Sequence, residues 1–198
     1  MNIPNQLTLF RIAISPIFMV LLLIENIYAR LAALCLFVLG CLSDLLDGVI
    51  ARRWGQETGF GKFMDPIADK LLISMALISF VALRQAAAWV VLVIVGREFL
   101  IMGLRTLVAY RHEMMESSWL AKTKTFLQML AITAILCYIF LGDAQAAGWL
   151  EAPLVSDPRT VWALDGLLLL AMLLTVVSGL DYIYRNRWLI LGLFRDNF

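Results

Sequence analysis

Two stretches hold acidic residues beside apolar sequence: Ser43-Asp44-Leu45-Leu46-Asp47-Gly48-Val49-Ile50-Ala51-Arg52, and Gly61-Lys62-Phe63-Met64-Asp65-Pro66-Ile67-Ala68-Asp69-Lys70. On helices, Asp44 and Asp47 stand at i,i+3 and Asp65 and Asp69 at i,i+4, so each pair faces one way. The turn 53–60, with Gly55 and Gly59, is short enough to make the helices antiparallel neighbours and to gather the four acids in one pocket. Two unit charges about 5 Å apart at an effective dielectric of about 20 repel by about 3 kcal/mol. Six such pairs approach 20 kcal/mol, on the order of or above the roughly 5–15 kcal/mol that stabilises a typical domain. Either some acids are protonated or cations fill the site, and hard divalent ions are the simplest answer. Oxygen ligands without His or Cys favour Mg²⁺, Mn²⁺ or Ca²⁺ over zinc, and two ions bridged by shared carboxylates suit phosphoryl chemistry.

The neighbouring residues fit that chemistry. Gly48 and Ala51 lie on or beside the face bearing Asp47, and Gly61 does likewise on the other helix, so a bulky ligand can approach the backbone. Arg52, one turn beyond Gly48, either grips a diphosphate oxygen with its planar fork or snorkels to a membrane interface. A bland reading of the acids is a solvated helix end or ion pairs with Arg52, Arg53, Lys62 or Lys70. Four acids in two phased pairs beside apolar spans weigh against it, because ionisable groups at membrane depth are costly and usually functional.

The elements that position these residues belong in a bilayer. The chain is 62% hydrophobic, with a mean hydropathy of +0.87, well above an ordinary soluble domain. Apolar runs predict six helices, at 7–24, 29–49, 66–83, 86–110, 119–141 and 160–184, each of a length to cross or nearly cross a membrane. The expected fold is therefore an all-α membrane protein: a single domain over 1–198 with six transmembrane helices and a cytoplasm-facing polar cavity. Pro16 is expected to kink or reset the first segment, leaving 5–14 as a separate interfacial helix. The first apolar stretch lacks a basic start and a small-residue cleavage site, and it is expected to be a span rather than a removable signal.

Arg30, Arg84 and Arg159 mark one side of the membrane. The other side holds Arg11, Arg52, Arg53, Lys62, Lys70, Arg105, Arg111, Lys122, Lys124, Arg185, Arg187 and Arg195. The excess of basic residues predicts that both termini are cytoplasmic. A net charge of +1 argues against nucleic acid as the partner. Cys35, Cys41 and Cys137 lie in apolar runs without CxxC spacing and read as small core residues, and no internal repeat is visible.

The acidic stretch closely resembles the motif of the CDP-alcohol phosphotransferase family, D-x2-D-G-x2-A-R-x8-G-x3-D-x3-D. Asp44, Asp47, Gly48, Ala51, Arg52, Gly61, Asp65 and Asp69 match every fixed position. Further features, Asn2-Ile3-Pro4-Asn5 with Leu7-Thr8-Leu9-Phe10-Arg11, Gly96-Arg97-Glu98 and Lys122-Thr123-Lys124-Thr125, resemble the bacterial branch whose acceptor is sn-glycerol 3-phosphate. The resemblance implies an inner-membrane enzyme, expected as a homodimer, that moves the phosphatidyl group of CDP-diacylglycerol onto that acceptor and releases CMP. It implies that Asp44, Asp47 and Asp65 hold Mg²⁺ or Mn²⁺, with Asp69 contributing to a second ion and taking the acceptor proton. Gly48, Arg52 and Thr58 would contact the CDP moiety, with Asn5 and Thr8 nearby.

A phosphorylated acceptor requires a cationic subsite, for which Arg105, Arg111, Lys122 and Lys124 are the candidates, with topology determinants as their alternative reading. Arg97-Glu98, deep in an apolar run, is expected to form or join a buried ion pair, structural or binding. His112 reads as a surface histidine, and Trp54, Trp119 and Trp188 as interface markers. Competing readings are the same chemistry with inositol phosphate, serine or phosphatidylglycerol as acceptor, and a cation transporter. A transporter usually places such acids near the midplane on broken helices, often with internal repeats.

Overall fold

Long runs of Leu, Ile, Val, Ala and Met without turn residues favour helix, and helix is also the form that satisfies every backbone polar group internally in an apolar solvent. The computed structural model describes residues 3–54, 59–110 and 119–189, with the side chains of 3–5, 7, 44–54, 59–63, 65, 69, 109–110 and 119–122 outside that description. Among the described residues no strand occurs. The elements are α1 (Ile3–Leu23), α2 (Ile27–Trp54), α3 (Gly59–Ala82), α4 (Ala88–Tyr110), α5 (Trp119–Ala146), a one-turn α6 (Pro153–Ser156) and α7 (Pro158–Arg185). The six expected helices correspond to α1 to α5 and α7, with shifted ends. The long connection after α5 is shortened by the extension of α5 to Ala146 and contains α6. The start of α7 is set by local chemistry: Pro158 occupies its first turn, and the Asp157 side chain accepts a hydrogen bond from the Arg159 backbone N–H at 2.9 Å.

Two expectations are corrected. Pro16 does not divide the first segment, because α1 continues through it. The helix carries Pro16 within the packed bundle, and the preceding Ser15 hydroxyl donates to the Arg11 carbonyl at 2.7 Å. Likewise α3 begins at Gly59 rather than at Pro66, which lies inside the helix. Proline reads as a helix start because it suits the first turn, yet here that signal marks an interior position.

The packing fixes the register. A Cβ on Gly40 of α2 would lie 2.5 Å from Leu72 Cδ2 of α3 and 3.3 Å from Ile14 Cδ1 of α1, so three helices meet at this glycine. The Phe18 and Phe37 rings, from α1 and α2, lie 5.7 Å apart in the same core, with Leu77, Phe80, Ile94, Ile132 and Ile135 fully buried beside them. Gly40→Ile would overpack this contact and destabilise the protein by about 1–3 kcal/mol. The expected readout is a lower unfolding midpoint in detergent, and an unchanged midpoint would show that α2 and α3 do not touch there.

At one end of the bundle, Arg30 pairs with Asp143 of α5 at 2.5 Å and donates through Nε to the Leu22 carbonyl at 3.3 Å, tying α1, α2 and α5 together. Tyr28 packs edge-on against Trp149 beside it. Among the described residues, two helices are long and apolar enough to cross a membrane, Thr123–Ala146 and Pro158–Arg185, and Thr8–Leu23 and Ile27–Ser43 are shorter apolar segments. The apolar run of α4 is interrupted by Arg97, Glu98 and Arg105, and that of α3 by Asp65, Asp69 and Lys70. These interruptions make the site.

Candidate active site

Buried Ala33, Phe37, Gly40 and Ser43 trace one stripe of α2, and positions 44 and 47 continue it. On α3, buried Ala68, Leu72 and Ala76 trace the facing stripe, which passes through positions 65 and 69. The Gly40 to Leu72 contact sets the levels. Positions 44 and 47 lie about 6 and 10 Å beyond it along α2, and positions 69 and 65 about 5 and 10 Å before it along α3, at 1.5 Å per residue. The backbone registers therefore bring the four aspartate positions to a common level on facing stripes. Gly48, Ala51 and Arg52 follow on α2, and Gly61 lies one turn before Asp65 on α3. The side chains of these residues and of Asn5 lie outside the described set, as does all of Thr58.

The α1 helix presents a polar stripe to the same neighbours. Thr8, Arg11 and Ser15 are buried, at 1%, 2% and 0% exposure, at i, i+3 and i+7. Arg11 lies one turn from Ile14, which meets Gly40, on the side toward the α1 N-terminus. In an antiparallel pair that is the direction in which α2 runs toward Asp44. Thr8 was expected near the CDP site, whereas Arg11 had been given only a topological role. Arg11 is thus a buried cation on the helix that packs against the two aspartate-bearing helices.

A second cluster adjoins the first. The Glu98 carboxylate, buried in the middle of α4, receives Lys124 of α5 in a very short contact, Lys70 of α3 at 3.2 Å and Arg97 of its own helix at 3.4 Å. Arg97 also donates to Ser178 Oγ of α7 at 3.0 Å. It lies across Gly179, where a Cβ would approach its Nε to 2.9 Å. The expected buried ion pair at Arg97-Glu98 is present and is larger than foreseen, joining four helices. Lys70 was read only as a possible partner of the aspartates, and no pattern in the sequence pairs it with Glu98.

The acceptor candidates separate. Lys124 is nearly fully buried against Glu98. Arg105 lies on the Glu98 stripe of α4, two turns on and about 10 Å along the axis. Its Nε donates to the Tyr182 hydroxyl at 3.3 Å, and its guanidinium stands 5.6 Å from the centre of that ring. Lys122 is two residues from Lys124 on α5, so the two positions fall about 200° apart around the helix. Its side chain, and all of Arg111, lie outside the described residues. Lys70, Arg97 and Lys124 face the Glu98 carboxylate, Arg105 stands two turns further along α4, and this excess of cations over that carboxylate suits an anionic ligand.

An all-helical, strongly apolar bundle with ionisable side chains gathered inside it, and with paired aspartates on two adjoining helices, defines a membrane-embedded enzyme class that handles charged groups at the lipid boundary. The chain belongs to the CDP-alcohol phosphatidyltransferase family, whose model matches residues 1–177. It is 40% identical over 197 residues to the CDP-diacylglycerol–glycerol-3-phosphate 3-phosphatidyltransferase of Bacillus subtilis strain 168, covering 93% of this chain and 95% of that protein. The protein of the same name from Rickettsia bellii is 37% identical over 181 residues, covering 91% and 93%. A probable phosphatidylglycerophosphate synthase of Mycobacterium tuberculosis is 37% identical over 187 residues, covering 93% and 81%.

Proposed function

We propose that the protein transfers the phosphatidyl group of CDP-diacylglycerol to sn-glycerol 3-phosphate, giving phosphatidylglycerophosphate and CMP. The observation that carries this reading is the adjacency of two clusters of opposite character. Aspartate positions 44, 47, 65 and 69 share a level on α2 and α3, and Lys70, directly after Asp69, leads into the cationic cluster around Glu98. The first suits a metal-bound diphosphate and the second a phosphorylated acceptor.

An all-carboxylate donor set on two facing helix stripes fits hard divalent cations, so Asp44, Asp47, Asp65 and Asp69 would hold Mg²⁺ or Mn²⁺, as two ions. When bound, such ions neutralise the diphosphate and the charge developing on the transferred phosphoryl group. Gly48, Ala51 and Gly61 leave room for the cytidine diphosphate beside the backbone, Arg52 binds a diphosphate oxygen, and Thr58, Asn5 and Thr8 line its approach. Lys124 and Arg105 bind the acceptor phosphate, with Arg111 and Lys122 as further candidates. Asp69 accepts the proton of the attacking hydroxyl as its oxygen bonds to the lipid-linked phosphorus. The bond from that phosphorus to the CMP oxygen breaks, and CMP leaves with the electron pair.

The reading includes six membrane crossings, an inner-membrane location with both termini and the polar cavity on the cytoplasmic side, and a homodimer. The crowding of basic residues toward the site end, against Arg30, Arg84 and Arg159 at the other, supports the orientation. A CMP-release assay with purified, detergent-solubilised protein, CDP-diacylglycerol and a panel of acceptors tests the reaction. Release with sn-glycerol 3-phosphate alone is expected. Release with inositol phosphate, serine or phosphatidylglycerol instead would reassign the acceptor, and metal flux in vesicles without any CMP would identify a transporter.

A further inference from the structure

We propose that Glu98 is a positioning residue for the transfer reaction, the anchor that sets Lys124 against the acceptor phosphate and holds α3 in register at Asp69. The inference rests on the proposed acceptor subsite and goes beyond it by assigning a role to a carboxylate that touches neither substrate.

Three observations carry it. A structural ion pair in an apolar interior needs one cation, yet this carboxylate, only 5% exposed, gathers Lys70, Arg97 and Lys124 from three different helices. Lysine side chains are long and flexible, and fixing three cations on one point removes that freedom before a ligand arrives. Next, Glu98 and Arg105 share a stripe of α4 two turns apart, so locking Lys124 to Glu98 sets the span between the two cations proposed to hold the phosphate. Finally, Lys70 follows Asp69 directly, so its 3.2 Å contact with Glu98 ties the proposed base to the helix that carries the acceptor subsite. One carboxylate thus couples the position of the acceptor to the position of the group that takes its proton.

The experiment compares Glu98→Gln, Glu98→Asp, Lys124→Ala and the double variant Glu98→Gln/Lys124→Ala in the CMP-release assay, with both substrate constants measured. Glu98→Gln keeps the shape and removes the charge. It is expected to raise KM for sn-glycerol 3-phosphate about tenfold or more while leaving KM for CDP-diacylglycerol within about twofold. Glu98→Asp, which restores the charge one methylene short, is expected to fall between the wild type and Glu98→Gln, and it keeps the test open if Glu98→Gln does not fold. The double variant is expected to be no worse in acceptor KM than the more severe single variant, because Glu98 acts through Lys124.

Equal rises in both substrate constants would mark a general structural role and overturn the proposal, as would additive effects in the double variant. If Lys124→Ala raises the acceptor KM and neither Glu98 variant does, the positioning role falls and the subsite stands. If Lys124→Ala leaves the acceptor KM unchanged, the subsite assignment itself falls and takes the positioning role with it.

Discussion

Excess chelator abolishes CMP release, by about two orders of magnitude or more, and added Mg²⁺ or Mn²⁺ restores it. Four aspartate positions on facing stripes of α2 and α3, level with one another across the Gly40 contact, would repel strongly if all were ionised without counter-ions. Buried Arg11 supplies one positive charge from α1, which cannot balance four carboxylates. On the proposed reading, hard cations would supply the remainder and neutralise the diphosphate, so their removal would take away both charge balance and substrate activation. Activity that persists in excess chelator would mean that protonation, rather than metal, relieves the repulsion.

Asp69→Asn lowers kcat by about 10²–10⁴-fold, the usual contribution of a general base, while binding of CDP-diacylglycerol changes by only a few fold. The asymmetry follows from position. Asp69 is the aspartate next to Lys70, and Lys70 is held at 3.2 Å from Glu98, so Asp69 lies at the border with the acceptor cluster. Asp44 and Asp47 lie on the other helix with Gly48 and Arg52. Equilibrium binding of the CDP-lipid and single-turnover CMP release, measured on the same preparation, separate the two effects. A proportional loss of binding and rate would reassign Asp69 to structure or to metal holding alone.

Much of this was legible in the residues alone. The apolar runs locate six of the seven helices among the described residues, because a long unbroken apolar segment can satisfy its own backbone polar groups as a helix. The i,i+3 and i,i+4 spacings put each acid pair at neighbouring positions of one helix, and the motif from Asp44 to Asp69 identifies the family that the comparisons bear out. The ends of the helices were less legible where proline sends a mixed signal. Pro16 and Pro66 both read as boundaries, and both lie inside helices.

The acceptor side was legible only as a list of cations. Helical phase alone could separate Lys122 from Lys124 and align Glu98 with Arg105. It could not tell that Lys70 and Lys124, from two other helices, meet at Glu98, because which charges share a buried site depends on how the helices dock. Arg11 was missed for a related reason. A single arginine in the first helix resembles a topology signal, and only the structure shows it to be buried.

The most direct test of the aspartate cluster is a Mn²⁺ titration of the purified protein followed by electron paramagnetic resonance. Saturable binding is expected in the wild type, strongly weakened by Asp47→Asn on α2 and equally by Asp65→Asn on α3, since both helices contribute to the same ions. Mn²⁺ binding that survives both substitutions, or that depends on one helix alone, would contradict a shared centre.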